Sequence, residues 1–392
     1  MKNKIYILLV LLLLFALSIL YVPVVMAQDF DVEVESAILV DAKTGQILFE
    51  KNSDKKLPPA SITKIMALLL VMEEIEKGTI DLEDEVIISK YAESMGGSQI
   101  FLKAGTRLDV KDLLKAVTIA SGNDASVALA EAVAGTYGNF INWMNEKAEE
   151  LGLENTNFVN STGLPDEQGE HYTTVRDIAT MSRELVKYPR ILEWASIWVD
   201  YLQLPDREAM MVNTNKLIKT YPGMDGLKTG HTSEAGYCLA ATARRNNTRL
   251  ISVVMQAETE KEREEQTVRL LDYGFNAFTR EQLITKGDKI HNIEIPDGEQ
   301  ISTTAEAART MAILIKRGRK ETVEKKIEIK EDLQAPIEKD EVIGNVKIVQ
   351  EEKILAEVDL LASEDIERAG LFTRLWRGFV KLIGNLVKKV LG

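Results

Sequence analysis

From Ile5 to Val25 the chain is an almost unbroken apolar run, preceded by Met1-Lys2-Asn3-Lys4 and closed by Val25-Met26-Ala27 before the polar Gln28-Asp29. A charged start, an apolar stretch and a small-residue exit are the parts of a secretory signal, so residues 1–27 are expected to direct export. The run is long for a signal, which leaves an uncleaved membrane anchor as the alternative; either way the rest of the chain is exported. Between 33 and 51 the pattern fits a hairpin, with Ala37 to Val40 and Ile47 to Phe49 flanking the turn Asp41-Ala42-Lys43-Thr44-Gly45. After Pro58-Pro59 the spacing predicts a strongly apolar helix over 62–75, then helices over 110–120, 125–134 and 141–151. Strands return over 236–243 and 250–255, joined by a turn at Arg244-Arg245-Asn246-Asn247, and a helix follows from about Thr259 to Phe278. The expected frame is α+β: a sheet whose first hairpin comes early and whose last strands come late, with a helical block inserted between them.

Beyond Arg280 the pattern changes to short segments that alternate or are rich in Ile and Val, notably 325–330, 341–349 and 353–360, around Pro336. A small β-rich domain over 281–365 is expected to follow a catalytic domain over 33–280. The last 22 residues, LFTRLWRGFVKLIGNLVKKVLG, place Leu371, Phe372, Leu375, Phe379, Leu382, Ile383, Leu386, Val387 and Val390 at helical spacing. Arg374, Arg377, Lys381, Lys388 and Lys389 make the other face basic. An amphipathic helix of this kind over 366–392 is expected to lie in the plane of an anionic membrane surface; packing on the protein itself is the alternative.

Composition narrows the function. The 392 residues carry a net charge of −13, which opposes binding to nucleic acid, because affinity for phosphate backbones comes from Lys and Arg. The lone cysteine, Cys238, excludes an intramolecular disulfide and reads, in Gly236-Tyr237-Cys238-Leu239-Ala240, as a small buried hydrophobe. His171, His231 and His291 form no zinc-ligand spacing with it, so neither metal nor cofactor is expected.

Three short motifs carry the chemistry: Ser61-Ile62-Thr63-Lys64, Ser121-Gly122-Asn123 and Lys228-Thr229-Gly230. Three residues apart on a helix, Ser61 and Lys64 project from one face within reach of each other. Lys64 is followed by Ile65-Met66-Ala67-Leu68-Leu69-Leu70, and burial among such residues disfavours an ammonium, leaving a neutral amine that can accept the serine proton. Backbone N–H groups at the start of the helix can help to hold an oxyanion. Each motif alone is weak. Ser53-Asp54-Lys55-Lys56 repeats the first and Lys43-Thr44-Gly45 the third, both in stretches that read as solvated turns. Ser121 alone would serve equally as a cap for the next helix; within the trio it is a proton relay between Lys64 and the leaving group, and Asn123 a hydrogen-bonding partner of the substrate backbone. The glycines around Lys228 suggest close approach of a substrate strand at the sheet edge, with Lys228 facing the substrate carboxylate.

On these residues, with Asp225-Gly226-Leu227 before the third motif, His231-Thr232 after it and Ala235-Gly236-Tyr237 beyond, the sequence resembles the low-molecular-weight penicillin-binding proteins, the serine D-alanyl-D-alanine carboxypeptidases. The resemblance covers about residues 33–365. It implies a β-lactamase/transpeptidase-like catalytic domain, a small β-rich domain and a terminal amphipathic anchor. It also implies a Ser61 acyl-enzyme, Lys64 as general base, a site completed by Ser121 and Asn123, and substrate contacts from Lys228, Thr229, Gly230 and His231. The substrate would be peptidoglycan stem peptides, the inhibitors β-lactams. Arg263 matches a family arginine near the site, although its setting in Lys261-Glu262-Arg263-Glu264 reads as an exposed helical position. Three alternatives remain: an endopeptidase, a class A-like β-lactamase and a non-catalytic cell-wall-binding protein. The second lacks its deacylating E-x-x-L-N, since Glu154, Glu167 and Glu170 fall in the right interval without that context.

Overall fold

The computed structural model describes residues 30–165, 169–318, 323–350, 352–377, 379–380 and 383. The expected signal over 1–27 lies outside them, as do Lys381, Leu382 and everything from residue 384 on.

The expected hairpin forms, as β1 (Ser36–Asp41) and β2 (Ile47–Lys51), antiparallel with Leu39 opposite Phe49. Every residue of β1 is buried, because it is not an edge strand. It also pairs with a strand from much later in the chain. The helical block in between contains α1 (Lys64–Glu76), α2 (Val110–Ala120), α3 (Asn123–Ala134), α4 (Tyr137–Glu150) and α5 (Val175–Leu185). The chain then returns as β3 (Met224–Thr232), β4 (Gly236–Arg245) and β5 (Thr248–Ala257), followed by α6 (Glu260–Ala277). The sheet order is β2-β1-β5-β4-β3, antiparallel throughout, so β3 is left as a free edge. The turn between β4 and β5 is narrower than expected, with both strands running up to Asn246-Asn247, where Asn246 takes φ +53°.

Period-2 alternation assigns the two faces of the sheet. Ile38, Val40, Ile251 and Val253 join one core with Ile65, Met66 and Leu69 of α1. Leu39 and Leu250 point the other way, to Gly274 of α6, where a Cβ would come within 2.8 and 2.5 Å of their methyls. Helices thus cover both faces, and α1 lies at the centre of the block: Lys64 to Met72 are all buried. Helix starts follow the polar caps in the sequence; Thr174 accepts from Asp177 N–H at the start of α5 and Thr259 from Glu262 N–H at the start of α6.

A second apolar core, with Ile293, Ile313, Ile343, Val346 and Leu360, lies after residue 280. β6 (Phe278–Ile284) begins three residues earlier than the composition suggested and pairs with β9 (Met311–Lys316). β7 (Lys289–Glu294), β8 (Ser302–Ala307), β10 (Val323–Ile329), β11 (Val342–Gln350) and β12 (Lys353–Ala362) make a five-stranded sheet of order β7-β8-β12-β11-β10. Two contacts tie this part to the first hairpin. Arg280 Nη2 donates to the wholly buried Asp41 at 2.5 Å, and the Gln46 amide exchanges two hydrogen bonds, of 2.7 and 3.0 Å, with the backbone of Leu314.

The C-terminal segment is helical over 371–377, with Leu371, Phe372, Leu375 and Trp376 exposed. Arg377, expected on the basic face, donates to the carbonyls of Gly298 (2.6 Å) and Glu299 (3.1 Å) of the β-rich part. No helix among the described residues is long and apolar enough to cross a membrane.

Candidate active site

Ser61 lies in a single 3-10 turn, Ala60–Thr63, that leads directly into α1, so Lys64 is the first residue of the helix proper. Ala60 is held at φ +47°, and Gly163, at φ +78°, packs so closely behind it that a Cβ there would sit 1.7 Å from the Ala60 carbonyl oxygen. Thr63 Oγ1 closes the turn on Ala60 O at 2.8 Å and meets His171 Nε2 at 2.8 Å.

Lys64 is fully buried, yet its amine has three acceptors: Ser61 Oγ at 2.9 Å, Asn123 Oδ1 at 2.5 Å and the Thr162 carbonyl at 3.0 Å. None is a carboxylate. Burial pushes the amine well below the usual lysine range, the positive charge of Lys228 pushes it further, and Asp124 opposes both. Neutral, the amine has a lone pair to receive the Ser61 proton.

Asn123 opens α3, with Oδ1 on Lys64 and Nδ2 on Gly96 O at 2.6 Å, so it positions Lys64 in addition to facing the cleft. Ser121, two residues earlier, is not the cap of α3; that position belongs to Gly122. Ser121 ends α2 in the left-handed region (φ +61°), a strained placement for a residue with a side chain. Asp124 is wholly buried and accepts from Ile100 N–H and Leu102 N–H, which fixes the loop over 96–102 beside Asn123.

The third motif runs along β3. Lys228 is buried, donates to Thr229 O at 3.0 Å, and is pushed down to about 7 by burial and then by the charge of Arg263. Thr229 Oγ1 donates to Thr214 Oγ1 at 2.6 Å. Gly230 is where β3 meets the nucleophile turn: a Cβ there would lie 2.9 Å from Pro59 O and 3.1 Å from Ala60 Cβ. The close approach inferred from the glycines is therefore made by the protein's own turn against the face of β3, and the edge of β3 that is not paired with β4 stays free for a substrate strand. His231 is exposed, its ring 4.1 Å from that of Tyr237.

Arg263 corrects the sequence expectation of an exposed residue. It is 3 % exposed, pairs with Glu260 (3.2 Å) and Glu264 (3.3 Å), and its Nε has no partner among the described residues. Its run of charged neighbours looks solvated, but this position of α6 faces the sheet. The buried basic groups of Lys228 and Arg263 therefore lie near enough for the charge of one to act on the other, an arrangement suited to a carboxylate. Ser53 also departs from expectation. It is buried, with Oγ donating to Glu50 at 2.8 Å and accepting from Arg176 at 2.6 Å, a structural knot in place of a solvated turn.

Sequence reasoning missed the loop over 160–164. Asn160 Oδ1 accepts from Thr162 N–H and Gly163 N–H, bending the chain so that Thr162 O faces Lys64. The signal was Asn160-Ser161-Thr162-Gly163, an Asn followed three residues later by a Gly that the turn requires. Glu154 and Glu170 are exposed and Glu167 lies outside the described residues.

The family described as D-alanyl-D-alanine carboxypeptidase matches residues 23–259, and the penicillin-binding protein 5 C-terminal domain matches residues 278–368. Among curated relatives, D-alanyl-D-alanine carboxypeptidase DacF of Bacillus subtilis (strain 168) is 44% identical over 347 residues, 88% of this chain and 89% of that protein. Among solved structures, penicillin binding protein 5 from Haemophilus influenzae is 33% identical with a TM-score of 0.77, covering 86% of this chain and 99% of that one. Penicillin-binding protein D2 from Listeria monocytogenes, in its ampicillin-bound form, is 31% identical with a TM-score of 0.55, covering 63% of this chain and 99% of that one.

Proposed function

The chain belongs to the D-alanyl-D-alanine carboxypeptidase family of low-molecular-weight penicillin-binding proteins, and from that premise we propose that Ser61 is the nucleophile that removes the terminal D-alanine from peptidoglycan stem peptides. The protein is a serine-type hydrolase with this carboxypeptidase activity. The observation that carries the assignment to Ser61 is the buried Lys64 amine 2.9 Å from its hydroxyl.

Ser61 Oγ attacks the carbonyl carbon of the penultimate D-alanine while its proton passes to neutral Lys64. Negative charge on the carbonyl oxygen is met by backbone N–H groups at the nucleophile turn. The C–N bond then breaks, Ser121 relays the Lys64 proton to the departing amine, and D-alanine leaves. Water attacks the ester, its proton returning through Lys64, and Ser61 regains its hydrogen. Lys228 and Arg263 face the substrate carboxylate, and Thr229, His231 and Asn123 hold the peptide along the free edge of β3. A β-lactam presents the same carboxylate and acyl carbon, but its leaving nitrogen stays tethered to the acyl group where D-alanine would depart, and the sequence holds no E-x-x-L-N glutamate to activate water, so the drug acyl-enzyme is long-lived.

On this reading residues 1–27 direct export to the outer face of the cytoplasmic membrane, and the C-terminal helix holds the protein there to an anionic surface. The catalytic domain, expected over 33–280, gives way to the β-rich domain at the start of β6, Phe278, and the latter runs to about residue 365. Intact-mass spectrometry after penicillin treatment, followed by a pentapeptide assay for released D-alanine, tests the reading. One added drug mass on Ser61 together with D-alanine release is the expected result; a mass adduct without release would favour an endopeptidase, and no adduct a non-catalytic binder.

A further inference from the structure

Phe101 has a backbone φ of +60°. A bulky side chain in that left-handed region is an outlier that carries backbone strain. Glycine or asparagine would hold the same backbone with less strain. The ring does not repay this by filling a core: it is 63 % exposed, while its neighbours Ile100 and Leu102 are buried. Nor does the backbone depend on it. The Asp124 carboxylate accepts from Ile100 N–H (3.1 Å) and Leu102 N–H (3.0 Å), and Arg207 donates to Ile100 O (2.5 Å) and Phe101 O (3.3 Å). The Arg207 guanidinium also lies over the ring, 6.0 Å from its centroid, so a clamped backbone presents a mostly exposed and partly held aromatic ring, with little conformational freedom left to lose on binding.

The same loop is a wall of the catalytic cleft. Asn123 donates its backbone N–H to Ser98 O at 2.7 Å and Nδ2 to Gly96 O, and a Cβ on Gly97 would lie 2.9 Å from Asn123 Nδ2 and 3.4 Å from Leu164. Phe101 stands three residues beyond this contact. On the reading given above, the two terminal D-alanines occupy the space between Ser61 and Lys228, and their methyls are small. The next side chain upstream is the first large apolar surface that the substrate brings to the wall.

We infer that Phe101 is a specificity-determining residue, its ring packing against the aliphatic side chain of the residue that precedes the D-alanyl-D-alanine pair. The inference rests on the proposed site and deepens it.

The test compares release of D-alanine from diacetyl-L-lysyl-D-alanyl-D-alanine and from acetyl-glycyl-D-alanyl-D-alanine, with thermal unfolding measured alongside. Phe101→Gly keeps the left-handed backbone and removes the ring; Phe101→Trp keeps an aromatic face. Phe101→Gly is expected to lower kcat/KM for the lysyl peptide at least about tenfold more than for the glycyl peptide, the scale on which an apolar pocket discriminates. Phe101→Trp should recover most of that ratio, and Phe101→Gly should unfold no earlier than the wild type. Equal losses on both peptides, no loss on either, or a tryptophan variant no better than the glycine one would overturn the inference. A wild type that releases D-alanine from neither peptide would overturn the reading of the site, and this inference with it.

Discussion

Lys64 and Asn123, each the first residue of its helix, meet across 2.5 Å from Nζ to Oδ1. The start of α3 therefore holds the amine that faces Ser61, and the contact is made through a neutral acceptor. Asn123→Asp would place a carboxylate there, which favours the ammonium and raises the pKa of Lys64. Penicillin acylation by Asn123→Asp should then fall about 100-fold or more at neutral pH and recover partly as pH rises, whereas Asn123→Ala should fall with no such shift. A stopped-flow pH profile identical to that of the wild type would mean that Asn123 does not govern the amine.

Replacing Ser61 with Ala should abolish both labelling by fluorescent penicillin and D-alanine release, while Ser53→Ala should keep both. Ser53 is engaged with Glu50 and Arg176, so its replacement is expected to lower stability by about 1 kcal/mol. Lys64→Arg retains a charge without a neutral amine, and its acylation rate should fall by several orders of magnitude with folding intact. Near-normal acylation by the arginine variant would place the base elsewhere.

What could be read from the residues alone follows the kind of signal each position carries. The hairpin, α1 and the late strands were legible because their apolar spacing is local, and the approach of Ser61 to Lys64 because helical spacing guarantees it. Thr162 was not legible, since it acts through a backbone carbonyl that any residue supplies. Arg263 was misread, and the protein contacts of Arg377 were missed, for a common reason. Both sit among charged or basic neighbours, and their surroundings are decided by strands and loops far away in sequence.

Gly230 should not tolerate even a methyl group. A Cβ would meet Pro59 O at 2.9 Å and Ala60 Cβ at 3.1 Å, pushing β3 away from the nucleophile turn. Overpacking of this kind costs about 1–3 kcal/mol of stability. The larger effect should be on kcat/KM, where a displacement of roughly 1 Å between Ser61 and the substrate-holding strand costs about 100-fold. Gly230→Ala with wild-type acylation kinetics would show that the two segments are not coupled.

Lys228 ties stability to alkaline pH. Its pKa is about 7 in the folded chain against 10.5 for an exposed lysine. Between those values the unfolded chain binds one more proton than the folded chain, so stability rises with pH, by at most about 1.4 kcal/mol per unit. Below pH 7 both states carry the proton and the cost of the buried charge is constant. Lys228→Met should remove the rise and be the more stable protein at pH 6. Parallel curves for the two proteins in urea titrations between pH 6 and pH 10 would show that Lys228 is solvated in solution.

The protein lacking residues 1–27 should co-sediment with anionic vesicles far more than with neutral ones, and less so at high salt. Removing 371–392 as well should abolish sedimentation without changing activity on small peptides. Basic residues near such a surface contribute about 1 kcal/mol each. Because Arg377 is already bonded to Gly298 and Glu299, Arg377→Gln should weaken vesicle binding less than Lys388→Gln with Lys389→Gln. The reverse order would mean that Arg377 leaves those carbonyls to meet lipid.

The buried Asp41–Arg280 pair and the Gln46–Leu314 exchange join the first strands of the chain to its last ones. With the C-terminal helix as the attachment proposed above, this joint would make the β-rich part a mast, fixing the height of the nucleophile over the bilayer and with it the layer of wall within reach. Loosening this joint by Gln46→Ala, which leaves the buried Asp41–Arg280 pair whole, should leave chemistry on dissolved peptides intact while blurring the depth at which an intact wall is trimmed.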